Sequence, residues 1–433
     1  MYDWANSAFQ TTVVTVLLGP YLTALAQRAV GENGPVLRLG SFGAVTAKSL
    51  FPFCVSLSVF LQVFLLPVLG AIADYSSMKK RLMAVFCYIG ATATCLLFFI
   101  TDRLYIAGGI LFVVANLSFG ASLVLYNAFL NDIATPDRRD QVSSRGYALG
   151  YLGGGVLLAL NLVLMLNAEV LGLSRGFAVR LSLLSAGIWW GGFAAITFAR
   201  LRSATTTDAH APFATALVVA GFARLTSTVR ELGRLPQTFR YLIAYMLYND
   251  GIQTVIAIAS VFLAQELFVA RGLPTNESFL IGLVLMIQFV AFFGALLFER
   301  IARVVGTKNA ILVTVGLWSG VVIYGYRFLQ TTGQAWAMGA LIGIVMGGSQ
   351  ALSRSLFSRM IPAGREASFF GLYEISERGT SWIGPLIFGI VAGATNSYRQ
   401  AILSLIVLFL AGMLLLFFTD TDEAVREAGA RPI

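Results

Sequence analysis

Runs of about twenty apolar residues recur along the whole chain, and they constrain its fold more than any other feature. A helix crossing a hydrocarbon core of about 30 Å needs about 20 such residues. We read twelve spans, at roughly 3–26, 50–73, 82–101, 104–131, 146–167, 178–199, 239–265, 278–299, 309–327, 335–360, 367–394 and 399–419. Some are uninterrupted, as in Ala401–Phe418; others are diluted by Gly, Ser, Asn and Gln. Backbone polar groups inside a membrane must be satisfied within the segment, so these spans are expected to be helices. A β-barrel would show alternating segments of about ten residues, and the sequence has none. The expected fold class is an all-α polytopic membrane protein with twelve transmembrane helices.

Charge supports this reading. Charged residues make up 12% of the 433, and 58% are hydrophobic; a soluble domain is about 25% charged. A soluble enzyme and a disordered chain are therefore excluded. The net charge is +9, mostly from Arg, with few lysines (Lys48, Lys79, Lys80 and Lys308). These charges lie between the apolar runs, a pattern of membrane topology and not of nucleic-acid binding. One set of loops holds Lys79-Lys80-Arg81, Arg138, Arg139, Arg145, Arg224, Arg230, Arg234, Arg300, Arg303, Lys308, Arg359 and Arg365. The opposite set is sparser, with Arg28, Arg38 and Lys48 its densest group. The first set, with both termini, is expected to be cytoplasmic. The first apolar run leads into Gln27-Arg28 and not into a small-residue cleavage site, so no cleavable signal peptide is expected. Cys54, Cys87 and Cys95 lie in apolar segments and His210 is the single histidine. That pattern supports no disulfide framework, zinc site or His-based active site. No GxxxxGK[ST] occurs, so no P-loop and no cofactor are expected.

The stretch 201–238 separates six spans from six. It opens on Ser203-Ala-Thr-Thr-Thr-Asp208. Within Phe213–Leu235, Leu225, Val229 and Leu232 then recur at helical spacing against Arg224, Arg230 and Arg234. This reads as an interfacial amphipathic helix, the alternative being a partly ordered linker. The expected organisation is a six-helix bundle at 1–200, a cytoplasmic linker at 201–238, a second bundle at 239–420 and a tail at 421–433. The halves resemble each other weakly. Tyr2-Asp3 with Gln10-Thr11 is echoed by Tyr248-Asn249-Asp250 with Gln253-Thr254. Pro136 with Asp140, Ser143 and Gly146 is echoed by Pro362 with Glu366, Ser368 and Gly371. Parallel six-helix repeats are the layout of major facilitator transporters.

The loop after span 2 carries Gly70, Asp74, Lys79, Lys80 and Arg81, and resembles the major facilitator motif G-x-x-x-D-x-x-x-x-[KR]-[KR]. Gly70 permits close helix approach. Asp74 can pair with the basic cluster or with the positive N-terminus of another helix. Such a contact can hold in one conformation and break in another, which makes it a candidate gate. In the corresponding loop after span 8, Arg303 stands where the pattern wants an acid, so a symmetric second latch is not expected. Four further stretches are more specific. Tyr2-Asp-Trp-Ala-Asn-Ser-Ala-Phe9, Ser143–Gly153, Leu247-Tyr-Asn-Asp-Gly-Ile-Gln-Thr254 and Gly347–Phe357 resemble the vacuolar amino-acid effluxer family, the autophagy-related group with many bacterial members. Members of that family usually carry residues before the first of these stretches, whereas here Tyr2 follows Met1. The resemblance implies a twelve-helix transporter that exports small solutes, with amino acids the substrates of the fungal members.

Ionisable groups inside a membrane mark function by default. Asp250 lies about a dozen residues into span 7, about 18 Å deep, and shares a helix face with Gln253. It can bind a proton, hold a substrate ammonium, or make a structural hydrogen bond. On span 11, Glu374 and Arg378 are four apart and can pair within the helix, which leaves Glu377 over. Arg354 on span 10 can reach Glu377, or hold a substrate carboxylate. Gln350 lies one turn away, and Gly343, Gly347 and Gly348 thin the same helix. Asp3, Asn6, Ser7 and Gln10 form a polar stripe on span 1, and Tyr126 with Asn127 adds to span 4. The resemblance places spans 1, 4, 7 and 10 around the cavity. Asp250 with Arg354 is the expected core of the site, with Asp3 and Glu377 as second candidates for proton coupling.

The expected function is secondary active transport by alternating access, with amino-acid efflux as the activity the resemblance implies and protons as a coupling ion. The alternatives are a transporter or flippase of another metabolite or lipid, and a membrane sensor that does not transport. A membrane-embedded enzyme would want a His or carboxylate cluster at a membrane face, so enzymatic activity is not expected. The expected partners are a small-molecule substrate and membrane lipids, without nucleic acid, and the resemblance implies a monomer. Compact length and short termini point to a bacterial inner membrane; the resemblance leaves a vacuolar membrane as the alternative.

Overall fold

The computed structural model describes residues 1–31, 34–38, 44–75, 78–201, 227–228, 230–378 and 383–429. Its long helices, in chain order, are α1 (Tyr2–Val30), α2 (Leu50–Tyr75), α3 (Lys79–Leu96), α4 (Tyr105–Ala128), α5 (Arg139–Leu166), α6 (Arg175–Arg200), α7 (Pro236–Leu267), α8 (Glu277–Val305), α9 (Thr307–Arg327) and α10 (Thr332–Arg359). They are followed by α11 (Glu366–Arg378), α12 (Ile383–Thr395), α13 (Tyr398–Phe417) and the short α14 (Thr421–Gly429). Among the described residues, eleven helices are long and apolar enough to cross a membrane, and α12 is a shorter apolar helix. The stretch read as one span at 367–394 comprises α11 and α12, with residues 379–382 between them outside the described set. A small antiparallel pair, β1 (Pro35–Arg38) with β2 (Ala44–Thr46), lies between α1 and α2; hydropathy gave no sign of it.

Local chemistry sets many of the helix ends. The Ser174 and Asn276 side chains accept from the backbone N–H groups of Phe177 and Phe279 and so cap α6 and α8. Thr331 and Gln334 form a reciprocal capping box at α10. Pro236 opens α7, where its missing N–H costs nothing. Asp420 precedes α14, and the N–H groups of Glu423 and Asp422 hold its carboxyl below the usual carboxylate range. Within α1, residues Phe9–Leu17 are wound as a π-helix, and the Thr15 hydroxyl donates to the Gln10 carbonyl five residues back. Such widened turns recur at functional sites.

Contacts divide the chain into two compact units. One comprises residues 1–66, 77–126 and 152–206; the other comprises 67–76, 127–151 and 207–433. The end of α2 and the beginning of α5 therefore cluster with the helices that follow the linker. In the first unit, Trp4 stacks on Trp189 at 5.4 Å between centroids, and Phe9 meets Trp190 at 5.3 Å, joining α1 to α6. Lys80 donates to the Leu201 carbonyl at 2.6 Å, which ties the start of α3 to the end of α6. In the second unit, α8 packs closely along α10. A Cβ on Gly347 would overlap the Ala291 carbonyl oxygen, so that glycine serves close helix packing. Of the expected amphipathic linker helix, Leu225 and Val229 lie outside the described residues, while Leu232 is buried.

Candidate functional site

Within the second unit, α5 and α10 run antiparallel and meet along a polar seam. Arg354 of α10 is 3% exposed. Its Nε donates to Ser143 Oγ at 2.9 Å, its Nη2 to the Ser143 carbonyl at 3.0 Å and its Nη1 to Asn127 Oδ1 at 3.2 Å. Its guanidinium lies 4.3 Å from the centre of the Tyr147 ring. Asn127 donates onward to Glu374 Oε1 of α11 at 3.0 Å, and Glu374 is fully buried. Arg354 and Glu374 are thus joined through Asn127, whose amide serves one with its oxygen and the other with its nitrogen. Further along the seam, Tyr151 donates to Gln350 Oε1 at 2.6 Å and Ser143 Oγ to the Ala351 carbonyl at 2.7 Å.

The other acids of this unit are placed differently. Asp250 of α7 is 1% exposed. Its Oδ2 accepts from the Gly384 N–H of α12 at 2.8 Å, and its Oδ1 has no hydrogen-bond partner among the described residues. A Cβ on Gly384 would overlap the Thr254 hydroxyl; only glycine lets α12 approach α7 this closely. Glu377 accepts from the Tyr245 hydroxyl at 3.2 Å, and its carbonyl accepts from Asn249 at 3.3 Å. Asp250 and Arg354, expected together as the core of the site, make no hydrogen bond or ion pair with each other among the described residues. Arg354 engages Ser143, Asn127 and Tyr147, while Asp250 turns to α12. For Glu374 the contact on view is Asn127, because the side chain of its expected partner Arg378 lies outside the described residues. Gln253 is half-buried.

In the first unit, Tyr126 donates to the Asp3 carboxylate, and Asn6 is buried on the same helix as Asp3. Tyr2 packs against Tyr126 at 4.9 Å.

The loop motif has a defined geometry. Asp74, at the end of α2, accepts from the backbone N–H groups of Ala367 at 2.8 Å and Ser368 at 2.7 Å. Those are first-turn amides of α11, which point outward with no partner inside the helix. Of the two partners open to Asp74, the contact is with the helix N-terminus. A Cβ on Gly70 would overlap the Ala367 carbonyl oxygen and come within 2.6 Å of its carbon. Lys79 and Lys80 are half-buried and Arg81 is exposed.

Sequence reasoning missed Ser143 and Tyr147 as partners of Arg354. The available signal was the spacing of Ser143, Tyr147 and Tyr151, four residues apart on one face of α5. It also missed Arg365, whose guanidinium holds the linker end through Glu231 at 3.1 Å and through Ser227 and Thr228.

Comparison with known proteins agrees with this architecture. The family described as "Vacuole effluxer Atg22 like" matches residues 1–429. The chain is 29% identical to an uncharacterized MFS-type transporter, YxiO, of Bacillus subtilis, over 99% of this chain and 96% of that protein. It is 27% identical to autophagy-related protein 22-1 of Aspergillus niger, over 89% of this chain and 75% of that one. Among solved structures, the major facilitator transporter FucP in its outward conformation superposes with a TM-score of 0.69 at 11% identity, covering 97% of this chain and 96% of that one. The proton:xylose symporter XylE superposes with a TM-score of 0.65 at 13% identity, covering 97% and 94%. At such identities the likeness is one of fold.

Proposed function

The chain belongs to the Atg22-like vacuole effluxer family and has the major facilitator fold, and from that premise we propose that it exports amino acids by proton-coupled alternating access. Amino acids are the substrate class the family resemblance implies. Coupling rests on one observation: Asp250 is buried, its Oδ1 has no partner, and it pairs with no cation among the described residues. A buried charge without a counter-ion is costly, and uptake of a proton removes that cost. Because Oδ2 holds Gly384, a proton at Asp250 reports directly to α12. Arg354 has a separate part in this reading. Its donors are engaged across the α5–α10 seam, so it ties α4, α5, α10 and α11 together in one conformation and releases them in the other. The contact of Asp74 with α11 acts in the same sense. Topology follows the loop charges, with both termini cytoplasmic, two six-helix bundles around the 201–238 linker, and a bacterial plasma membrane as for the Bacillus relative. The protein acts as a monomer and is not an enzyme.

The test is uptake of a labelled amino-acid mixture into proteoliposomes, with and without an outward proton gradient (acidic inside), the direction that drives uptake by a proton/amino-acid exchanger. The gradient is expected to stimulate uptake, and Asp250→Asn to lower the stimulated rate about tenfold, some 1.4 kcal/mol at the barrier. If Asp250→Asn keeps the rate and its gradient dependence, Asp250 is not the coupling group. If folded protein takes up no amino acid, that substrate class falls and the search moves to other metabolites and lipids. Binding without counterflow would indicate a sensor.

A further inference from the structure

We propose that the chain carries a second latch, with the polarity of the first reversed, in which Asp140 is the positioning residue; this rests on the alternating-access reading above. The internal repeat aligns the start of α5 with the start of α11, through Pro136 with Asp140 and Pro362 with Glu366. It equally aligns the α8–α9 loop with the α2–α3 loop. In the first latch the loop supplies the acid, Asp74, and the start of α11 supplies the donors. In the second, the loop position that would hold the acid is Arg303, which bonds Glu299 one turn away on its own helix at 2.6 Å. The acid comes instead from the other partner. Asp140, in the first turn of α5, accepts from the Thr307 hydroxyl at 2.6 Å, and Thr307 is the first residue of α9. The same Oδ2 pairs with Arg359 Nη2, at the end of α10, at 2.8 Å. Asp140 and Arg359 are 15% and 25% exposed, so water screens this pair only in part.

The surroundings suit a contact that parts and re-forms. Asp140, Thr307 and Arg359 line a cleft of about 970 Å³, with Lys308, Asp420 and Asp422 also on its walls. Lys308 donates to the Phe417 and Thr419 carbonyls and anchors the end of α13 beside it. Beside this pair, Arg139 next to Asp140 and Asn131 before α5 both donate to the carbonyl of Ser358, the neighbour of Arg359, at 2.9 and 3.1 Å. Asp140 therefore ties the start of α5 to α9 and α10 at the end of the unit where Asp74 ties α2 to α11. Reversed polarity lets one chain hold both contacts although its second loop lacks the acid.

The experiment uses full-length protein in nanodiscs, with Cys54, Cys87 and Cys95 replaced by alanine. Spin labels at Arg138→Cys and Val304→Cys, both exposed positions, report the distance across the latch. Asp140→Ala is expected to lower the ratio of the short- to the long-distance population about fivefold, and Thr307→Val about threefold. Exchanging the charges, Asp140→Arg with Arg359→Asp, should recover part of what Asp140→Arg alone loses; a merely structural role would not show that rescue. Asp74→Ala serves as the reference. If Asp74→Ala widens the distribution and both Asp140→Ala and Thr307→Val leave it unchanged, the second latch is overturned. If no variant, Asp74→Ala included, moves it, alternating access at this face fails and takes the proposal with it. Should Asp140→Ala not fold, Thr307→Val carries the test.

Discussion

Arg354→Leu is expected to lower the initial transport rate about a hundredfold. The side chain gives three hydrogen bonds to Ser143 and Asn127, and all three residues are 0–3% exposed. A buried acceptor left without its donor costs about 1–3 kcal/mol, and bonds to a charged group lie at the upper end. Orphaning the acceptors of Ser143 and Asn127 together therefore costs about 3 kcal/mol, about two powers of ten in the population of the seam-closed state. In the proposed alternating-access cycle the loss falls on that state alone, because the opposite state is the one in which α5 and α10 part. Arg354→Lys is expected to recover less than tenfold. An ammonium cannot present a planar fork to Ser143 and Asn127 while lying over the Tyr147 ring. Uptake into proteoliposomes at matched protein content checks this. Recovery of the full rate by lysine would mean that Arg354 supplies only a charge.

The difference between what was legible in advance and what was not has a physical cause. A lipid bilayer makes one local demand, a run of apolar residues of sufficient length, and that demand is met segment by segment along the chain. The helices could therefore be located from hydropathy alone. The partners of Arg354 depend on which faces of α4 and α5 lie opposite α10, and no local pattern records that. The Ser143, Tyr147 and Tyr151 stripe reveals a polar face but not what it faces. Averaged hydropathy also reads α11 and α12 as one apolar span and says nothing of which helix faces the start of either. That hid the reason Asp250 matters to the second of these helices. Asp74 was ambiguous for a similar reason. Nearby lysines and a distant helix N-terminus were equally plausible partners for it until the two helices were placed together. Arg303 in the α8–α9 loop was visible as a missing acid, but a motif confined to one loop cannot show that α5 supplies it.

Gly70→Ala should disable the loop contact more thoroughly than any change to Asp74 itself. The added Cβ would overlap the Ala367 carbonyl oxygen and sit 2.6 Å from its carbon. Both atoms are backbone, so no side chain can turn aside and the two helices must move apart. That movement also stretches the Asp74 bonds to Ala367 and Ser368, now 2.8 and 2.7 Å. The change thus combines overpacking of about 1–3 kcal/mol with loss of a charge-assisted cap of about 1–2 kcal/mol. Transport should fall about a hundredfold. Asp74→Ala removes the cap alone and should cost about tenfold. Asp74→Asn keeps one acceptor oxygen but not the charge that complements the α11 N-terminus, and should cost about threefold. Reconstituted transport by the three variants, with thermal unfolding measured alongside, decides the matter. The order Gly70→Ala, then Asp74→Ala, then Asp74→Asn, with little change in unfolding temperature, is the signature of a contact needed in one state of the cycle. Equal losses in all three, tracking the unfolding temperature, would show that the contact supports the fold and does not gate it.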